Sequence, residues 1–197
     1  MFNFKNSSEV RILALAILAL LTVFTQAQAQ TWYQWSASAG GNDHWYRLTT
    51  TDRNWEGARS QALSAGPGAD LVSINTAVEQ NFLASQFGIS HLFWIGLTDK
   101  AVEGTWEWAN GDAVDYTNWL PGQPNDFNPA MGGEDYTLMN FGAFRELPNS
   151  TGWNDVALGY GAFHGIVESV VPEPSAYVLL GAALLAFWRV RRRFARV

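Results

Sequence analysis

Oxygen-bearing side chains concentrate between residues 121 and 155, and this stretch holds the chain's clearest candidate chemistry. They fall in three separated motifs, Gln123-Pro124-Asn125-Asp126, Gly133-Glu134-Asp135 and Trp153-Asn154-Asp155. Amide and carboxylate oxygens, with no Cys or His among them, suit a hard cation such as calcium, which takes about six to eight oxygen ligands. Each motif alone is also typical of an ordinary loop. Their order along one chain predicts a cation site.

The charge balance of the central region argues against nucleic acid as a partner. Between residues 31 and 170, sixteen Asp and Glu residues stand against five basic residues. Such a surface repels phosphate backbones and leaves carboxylates available for cations. The 197 residues, 48% of them hydrophobic, are enough to bury one sizeable core. Because the chain has no cysteine, this core must be stable without disulfides.

Residues 1–29 are predicted to be a signal peptide. Lys5 and Arg11 precede an apolar run at residues 12–24, and Ala27-Gln28-Ala29 supplies the small residues of a cleavage site after Ala29. The alternative is a first membrane helix, although the run is shorter than the ~20 residues that a span needs. We therefore expect the following domain to be secreted across the inner membrane.

Residues 171–197 are predicted to be a sorting signal. Pro172-Glu173-Pro174 is followed by a short apolar stretch, expected to be a transmembrane helix, and then by an arginine-rich tail at residues 189–193. Arginines beyond an apolar stretch remain cytoplasmic, which places the preceding domain on the far side of the membrane. A plain membrane anchor is the alternative.

This C-terminal order resembles the PEP-CTERM sorting signal of Gram-negative bacteria that make exopolysaccharide. The resemblance implies processing by an exosortase near Pro172, Glu173 and Pro174. It also implies that the helix anchors the protein in the membrane only transiently, before the domain reaches the cell envelope or the extracellular space.

Hydrophobic periodicity predicts an α+β domain over residues 30–170, with two helices early and short strands later. Trp55, Ala58 and Ala62 recur at helical spacing after a possible cap at Thr51 or Asp52. This spacing predicts a first helix that ends before the Gly-Pro-Gly turn at residues 66–68.

A second helix is predicted to start at Thr76, because Glu79 three residues later completes a capping box. We expect this helix to bury Val78, Phe82 and Leu83.

Short apolar or alternating segments predict strands around this pair of helices. Residues 93–97 are apolar throughout, which predicts a buried central strand, and Gly96 predicts close approach by a neighbouring backbone. Residues 112–133 lack periodicity and predict a long loop kept for function. The remaining strands are predicted at residues 34–36, 44–49, 71–74, 105–108, 136–141, 153–156 and 163–169.

Taken in order, the motifs of residues 30–170 resemble the C-type lectin-like domain. The resemblance implies a fold with two helices, short antiparallel strands and a long ligand-binding loop. The family's usual cysteines align with Ala62, Tyr136, Leu158 and Val167, so we expect these side chains to be buried in place of disulfides. The matching motifs are Trp55-Glu56-Gly57-Ala58-Arg59, Trp94-Ile95-Gly96-Leu97-Thr98-Asp99, Glu103-Gly104, Asn118-Trp119 and the three oxygen-rich motifs above.

The resemblance implies a principal calcium (Ca2+) site formed by Gln123, Asn125, Glu134, Asn154 and Asp155. It also implies a cis peptide bond before Pro124 and a role in carbohydrate binding for Gln123, Asn125, Glu134 and Asn154, with Asn154 on a surface loop. The triplet Gln-Pro-Asn lacks the carboxylate that lectins usually keep there, so calcium affinity should be weak. The alternative is a relic site in a loop that is only polar.

An auxiliary calcium site is implied at Asp99, Glu103, Asp126, Glu134 and Asp135. Carboxylates that converge in this way repel one another unless a cation neutralises them. Asp99 and Glu103 have an alternative interpretation as solvated loop acids.

The sequence therefore predicts an exported, calcium-dependent carbohydrate-binding protein that acts on exopolysaccharide or surface glycan. The alternative function is a structural or adhesive module that uses the same fold for protein contacts without sugar. An enzyme is not predicted, because the chain has no cysteine nucleophile, no Gly-x-Ser-x-Gly motif and no phosphate-binding loop.

Mature protein isolated from its own host should begin near Gln30 and lack residues 189–197, because both ends are predicted to be processed. Intact-mass spectrometry measures this directly. A mass that includes both ends would contradict the interpretation of the termini.

Overall fold

The computed structural model describes residues 31–127, 132–144 and 150–170. The predicted processing residues Ala29, Pro172, Glu173 and Pro174 lie outside the described residues. The described residues all fall within one compact unit, Gln30–Glu173. Within them, no helix is both long enough and apolar enough to cross a membrane.

The described residues form an α+β arrangement of helices and two four-stranded antiparallel sheets, as predicted. A short 3-10 helix covers Ala37–Ala39. The helices are α1 (Trp55–Leu63), α2 (Ala77–Phe87) and the short α3 (Phe141–Phe144). The strands are β1 (Tyr33–Gln34), β2 (Trp45–Leu48), β3 (Asp70–Leu71), β4 (Phe93–Thr98), β5 (Glu107–Trp108), β6 (Tyr136–Met139), β7 (Asn154–Val156) and β8 (Ile166–Ser169). The first sheet has the order β1-β2-β8-β3 and the second β5-β4-β6-β7.

The first sheet joins the two ends of the domain. β2 pairs with β8 in a register that runs from Trp45 opposite Ser169 to Leu48 opposite Ile166. Several strands, among them β3, β5 and β8, are shorter than the hydrophobic pattern predicted, because the pattern continues beyond the residues that pair in a ladder.

Helix α1 is capped by Asn54 rather than by Thr51 or Asp52, so that prediction is wrong. The Asn54 side chain accepts the backbone N–H of Gly57 at 3.0 Å. The Asp52 side chain instead points to His164, with 3.3 Å between Asp52 Oδ1 and His164 Nε2. The inward face of α1 is as predicted, with Trp55 buried and its indole N–H donating to the Ile95 carbonyl at 2.8 Å.

Helix α2 begins at the predicted cap, since Thr76 Oγ1 accepts the backbone N–H of Glu79 at 3.1 Å. Leu83 is buried and Phe82 is half-buried, as expected. Val78 was expected in the core but is 61% exposed. Glu79 points inward instead and is 2% exposed, because Tyr46 and the Asn75 N–H donate hydrogen bonds to its carboxylate.

Strand β4 lies at the centre of the domain, and all six of its residues are buried. Its side chains alternate between two core clusters, with Trp94 in one and Phe93, Ile95 and Leu97 in the other. A Cβ atom on Gly96 would lie 2.8 Å from the Leu71 carbonyl oxygen. The predicted close backbone approach at Gly96 is confirmed.

The positions aligned with the family's cysteines do not all lie in the core. Ala62, Val167 and Tyr136 belong to the same buried cluster. Leu158 is 37% exposed, so its expected burial is wrong. The reason is local, because residues 157–160 form a surface turn between β7 and β8.

Cysteines introduced at Ala62 and Val167 should form a disulfide under oxidising conditions. Both positions lie in one core cluster, and such a bridge requires a Cα separation of about 4.4 to 6.8 Å. The matched control is Leu63→Cys with Val167→Cys, because Leu63 is the next helical residue and points outward at 53% exposure. Thiol titration and non-reducing mass analysis distinguish the pairs, and equal bridging in both would contradict the packing.

Candidate functional site

The strand register brings the predicted oxygen ligands together at one end of the second sheet. Thr98 at the end of β4 pairs with Tyr136 at the start of β6, so that Asp99 and Asp135 are neighbours. The Asp135 carbonyl accepts the Thr98 hydroxyl at 2.7 Å and the Asp99 N–H at 3.3 Å. β7 adds Asp155 opposite Thr137 on the other side of β6.

Asp155 holds the predicted ligand loop against this sheet. It is fully buried, and its Oδ2 accepts the backbone N–H groups of Asn125 and Asp126, both at 2.8 Å. The bond between Gln123 and Pro124 is cis, as predicted. Asn125 is exposed, so its side chain is free to meet solvent or a ligand.

The root of the same loop is fixed by backbone pairing. Trp119 and Trp153 form an isolated parallel bridge. The Leu120 N–H donates to the Trp153 carbonyl at 2.9 Å, and the Trp153 N–H donates to the Asn118 carbonyl at 2.8 Å. Indole packing reinforces these bonds, because the ring centroids of Trp119 and Trp153 lie 5.8 Å apart.

Among the predicted principal calcium ligands, two buried oxygens accept no hydrogen bond from the described residues. They are Gln123 Oε1 and Asp155 Oδ1. A buried acceptor without a donor costs about 1 to 3 kcal/mol, and more when it is charged. A hard cation satisfies such oxygens directly, so the donor set fits a calcium ion.

Asn154 is placed differently from the expectation. It is the first residue of β7 and is 6% exposed, so it does not lie on a surface loop. Pairing with Leu138 on β6 draws it into the sheet. Its amide group donates to the Asp155 carbonyl at 2.5 Å.

Glu134 lies near Asp155 and bonds the backbone of the loop. Its Oε2 accepts the Phe127 N–H at 3.1 Å. Burial raises the pKa of Glu134, and the nearby charges of Asp155 and Asp126 raise it further. Hydrogen bonds and electrostatic coupling thus join the loop that holds Gln123 and Asn125 to Glu134 and Asp155.

A second acidic cluster consists of Asp99, Glu103 and Asp135, whose ligand oxygens lie within 4.8 Å of one another. Asp99 is 1% exposed, and its Oδ1 accepts no hydrogen bond from residues 31–127, 132–144 or 150–170. Burial, then the charges of Glu103 and Asp135, raise the pKa of Asp99 to about 6. The alternative of a solvated loop acid therefore does not describe Asp99, although Glu103 is exposed.

Asp126 links the two groups of oxygens. Its Oδ1 accepts the Glu134 N–H at 2.9 Å, and its charge raises the pKa of both Glu134 and Asp135. Gly133 makes this contact possible, because a Cβ atom there would lie 2.5 Å from Asp126 Oδ1.

One residue beside the site was not singled out by the sequence reasoning. Phe127 is 67% exposed and lies next to the Glu134 carboxylate that accepts its N–H. The feature of the sequence that could have identified Phe127 is its position, directly after the oxygen-rich motif that ends at Asp126. It gives the site an apolar surface alongside its oxygens.

A groove of about 580 Å³ lies at the opposite end of β4 from Asp99, around Phe93, His91 and Phe163. It contains none of the predicted ligand residues.

Two protein families match the chain. Residues 51–136 match the family described as Lectin C-type domain, and residues 170–193 match the PEP-CTERM protein-sorting motif. The predicted resemblance to both is confirmed.

Similar curated proteins include a snake protein and two human proteins. The C-type lectin lectoxin-Lio1 of Erythrolamprus poecilogyrus is 33% identical over 118 residues, which are 58% of this chain and 70% of that protein. Human C-type lectin domain family 17, member A, is 32% identical over 112 residues, 57% of this chain. Human C-type mannose receptor 2 is 36% identical over 90 residues, 45% of this chain. The chain spans only 26% and 6% of these two human proteins.

Solved structures of lectin domains have the same fold. The C-type lectin CEL-I from Cucumaria echinata is 30% identical with a TM-score of 0.58, covering 73% of this chain and 96% of its own. The carbohydrate-recognition domain of human scavenger receptor C-type lectin is 28% identical with a TM-score of 0.57, covering 70% and 95%. The fold prediction is confirmed. These relatives are carbohydrate-binding domains rather than enzymes, in agreement with the prediction of a non-enzymatic protein.

With calcium removed by a chelator, Asp99→Asn should stabilise the protein at alkaline pH. The raised pKa of Asp99 means that its contribution to stability is present below its unfolded value of 3.8 and is lost as pH rises through about 6. The free energy of unfolding at about pH 8 should rise by roughly 1 to 2 kcal/mol, and the effect should vanish near pH 4.

Urea unfolding at both pH values checks this prediction. The matched control is Asp115→Asn, since Asp115 is exposed. A loss of stability in Asp99→Asn at about pH 8, or an equal gain in the control, would contradict it.

Proposed function

The chain belongs to the C-type lectin family, and from this premise we propose that it is an exported, calcium-dependent carbohydrate-binding protein. Its ligand is the glycan of a cell surface or of the exopolysaccharide matrix. The observation that carries the proposal is a pair of buried acceptors, Gln123 Oε1 and Asp155 Oδ1, that receive no hydrogen bond within the part of the chain that the structure describes.

The ion would be held by Gln123, Asn125, Glu134, Asn154 and Asp155. When bound, calcium supplies coordination positions that two neighbouring sugar hydroxyls take. Among the five residues only Glu134 and Asp155 carry charge, and fewer charged ligands mean weaker binding. The proposed affinity is therefore in the millimolar range typical of extracellular calcium modules.

A second ion is proposed at Asp99, Glu103 and Asp135, with Asp126 and Glu134 beside it. The support is electrostatic, because the buried Asp99 carboxylate is held next to two other acids at a raised pKa. A divalent cation would favour the ionised forms of all three. Since Asp126 acts on both groups of oxygens, occupancy of one site should change the affinity of the other.

Sugar contact would combine these oxygens with the exposed ring of Phe127. Carbohydrate rings have an apolar face that packs on aromatic side chains, and Phe127 offers such a surface beside Glu134. The exposed Asn125 amide offers both a donor and an acceptor to sugar hydroxyls.

The sorting motif indicates export and processing at the cell envelope. We propose that an exosortase-type enzyme processes the chain near Pro172, Glu173 and Pro174 after the helix that follows has anchored it transiently in the membrane. Signal-peptide cleavage after Ala29 would free the other end. The lectin domain then acts on glycan outside the inner membrane.

Calcium should raise the melting temperature of the full chain at millimolar concentrations, and a chelator should reverse the rise. Gln123→Glu adds the missing carboxylate and should shift the response to roughly tenfold lower calcium, or ~1.4 kcal/mol. Gln86→Glu is the matched control, because Gln86 is exposed on α2. Thermal melts over a calcium series measure both effects.

Glycan binding is tested on the same proteins with immobilised monosaccharides and the host's exopolysaccharide. Asn125→Ala should lose binding and keep its melting temperature without calcium, whereas the exposed Asn81→Ala on α2 should bind like the wild type. No calcium response in either wild type or Gln123→Glu would favour the alternative of a protein-contact module. Binding that survives both chelator and Asn125→Ala would place the sugar on another surface.

A further inference from the structure

Two buried carboxylates outside the cation site share one tyrosine hydroxyl. Glu79 on α2 is 2% exposed and Glu168 on β8 is 8% exposed. The hydroxyl of Tyr46, on β2, lies 2.6 Å from Glu79 Oε1 and 3.2 Å from Glu168 Oε1. A tyrosine hydroxyl has a single proton, which the shorter distance assigns to Glu79. Glu168 Oε1 therefore depends on another donor.

That donor is His44, the residue immediately before β2. Its Nδ1 lies 2.7 Å from Glu168 Oε1. The hydrogen bond to Glu168 raises the pKa of His44, burial opposes the rise, and the charges of Glu168, Glu79 and Asp112 add to it. These carboxylates come from β8, from α2 and from the turn after β5, and all of them favour the protonated ring.

Glu168 and Asp112 are joined through Ser73, and Asp112 lies at the root of the long loop. Glu168 Oε2 accepts the Ser73 N–H at 3.0 Å. The Ser73 hydroxyl donates to Asp112 Oδ2 at 2.6 Å, and Asn110 donates to the same oxygen at 2.9 Å. Asp112 is the first residue of the loop at 112–133, so one chain of contacts runs from His44 to the start of the segment that contains Gln123.

We propose that His44, Tyr46, Glu79 and Glu168 form a pH-sensitive clamp that holds the root of the long loop when His44 is protonated. Protonated His44 neutralises Glu168, which then keeps Ser73 and Asp112 in place. Loss of that proton removes the positive charge beside two buried carboxylates, and the repulsion between Glu168 and Glu79 then loosens the contact. The clamp is separate from the proposed calcium ligands and does not depend on them.

The sign of the pH effect follows from both titrating groups. His44 has a raised pKa in the folded state, so its contribution to stability is complete below the ordinary value of 6.5 and is lost as pH rises through the folded value. Burial also raises the pKa of Glu79, so the contribution of Glu79 to stability is likewise lost as pH rises, but over a lower pH range. The clamp is therefore tightest in mildly acidic solution.

The test is a histidine NMR titration of the full chain, with the His44 signal assigned by its loss in His44→Gln. The expected result is a His44 pKa above ~6.5 that falls in Glu168→Gln. The matched control is His91→Gln, at an exposed position, which should leave the His44 titration unchanged. A wild-type His44 pKa at or below ~6.5 overturns the proposal even if Glu168→Gln fails to fold.

A second measurement separates the clamp from a merely structural hydrogen bond. Between about pH 6 and pH 8, the fall in melting temperature should be ~2 to 4 °C smaller in His44→Gln than in wild type or His91→Gln. Hydrogen exchange at the Ser73 amide, corrected for intrinsic rate, should become faster over the same interval in wild type and be constant in His44→Gln. Identical pH dependence in His44→Gln and wild type would overturn the proposal.

Discussion

The rest of the site depends on the fully buried carboxylate of Asp155. One of its oxygens accepts the backbone N–H groups of Asn125 and Asp126, and the other accepts no hydrogen bond from any described residue. The first oxygen fixes a long loop that has no periodic structure of its own onto the edge of a four-stranded sheet. The second is a buried acceptor on a carboxylate, and burial makes that acceptor costly unless a cation meets it.

Negative charge is therefore the main constraint on this end of the domain. The structure concentrates carboxylates next to β4 and β6, on β7 and in the loop, with Asp126 between the two groups. Asp99, Glu134 and Asp135 have raised pKa values as a result. A protein that kept these acids only for stability would gain from replacing some of them by amides. Their presence at such close range is what a cation-dependent ligand site requires, and it agrees with the lectin family to which the chain belongs.

The sequence predicted the elements that depend on periodicity and local chemistry, such as the buried strand around Gly96 and the cap at Thr76. It failed where a distant partner decides the outcome. Glu79 is buried where Val78 was expected, because its carboxylate accepts a hydrogen bond from Tyr46. The two residues are 33 positions apart in the chain, so no local pattern shows the contact. Asn154 entered the sheet because β6 pairs with it. The candidate ligands were recognised by motif, but the two unsatisfied oxygens that support the proposal depend on packing that no local pattern encodes.

The most direct test of the account is a crystal structure of the protein grown with saturating calcium, using anomalous scattering to locate the ion. The account predicts an ion about 2.3 to 2.6 Å from both Gln123 Oε1 and Asp155 Oδ1, the distance range of calcium ligands. Crystals that contain millimolar calcium, yet show those two oxygens bonded only to water or to protein donors, would contradict it.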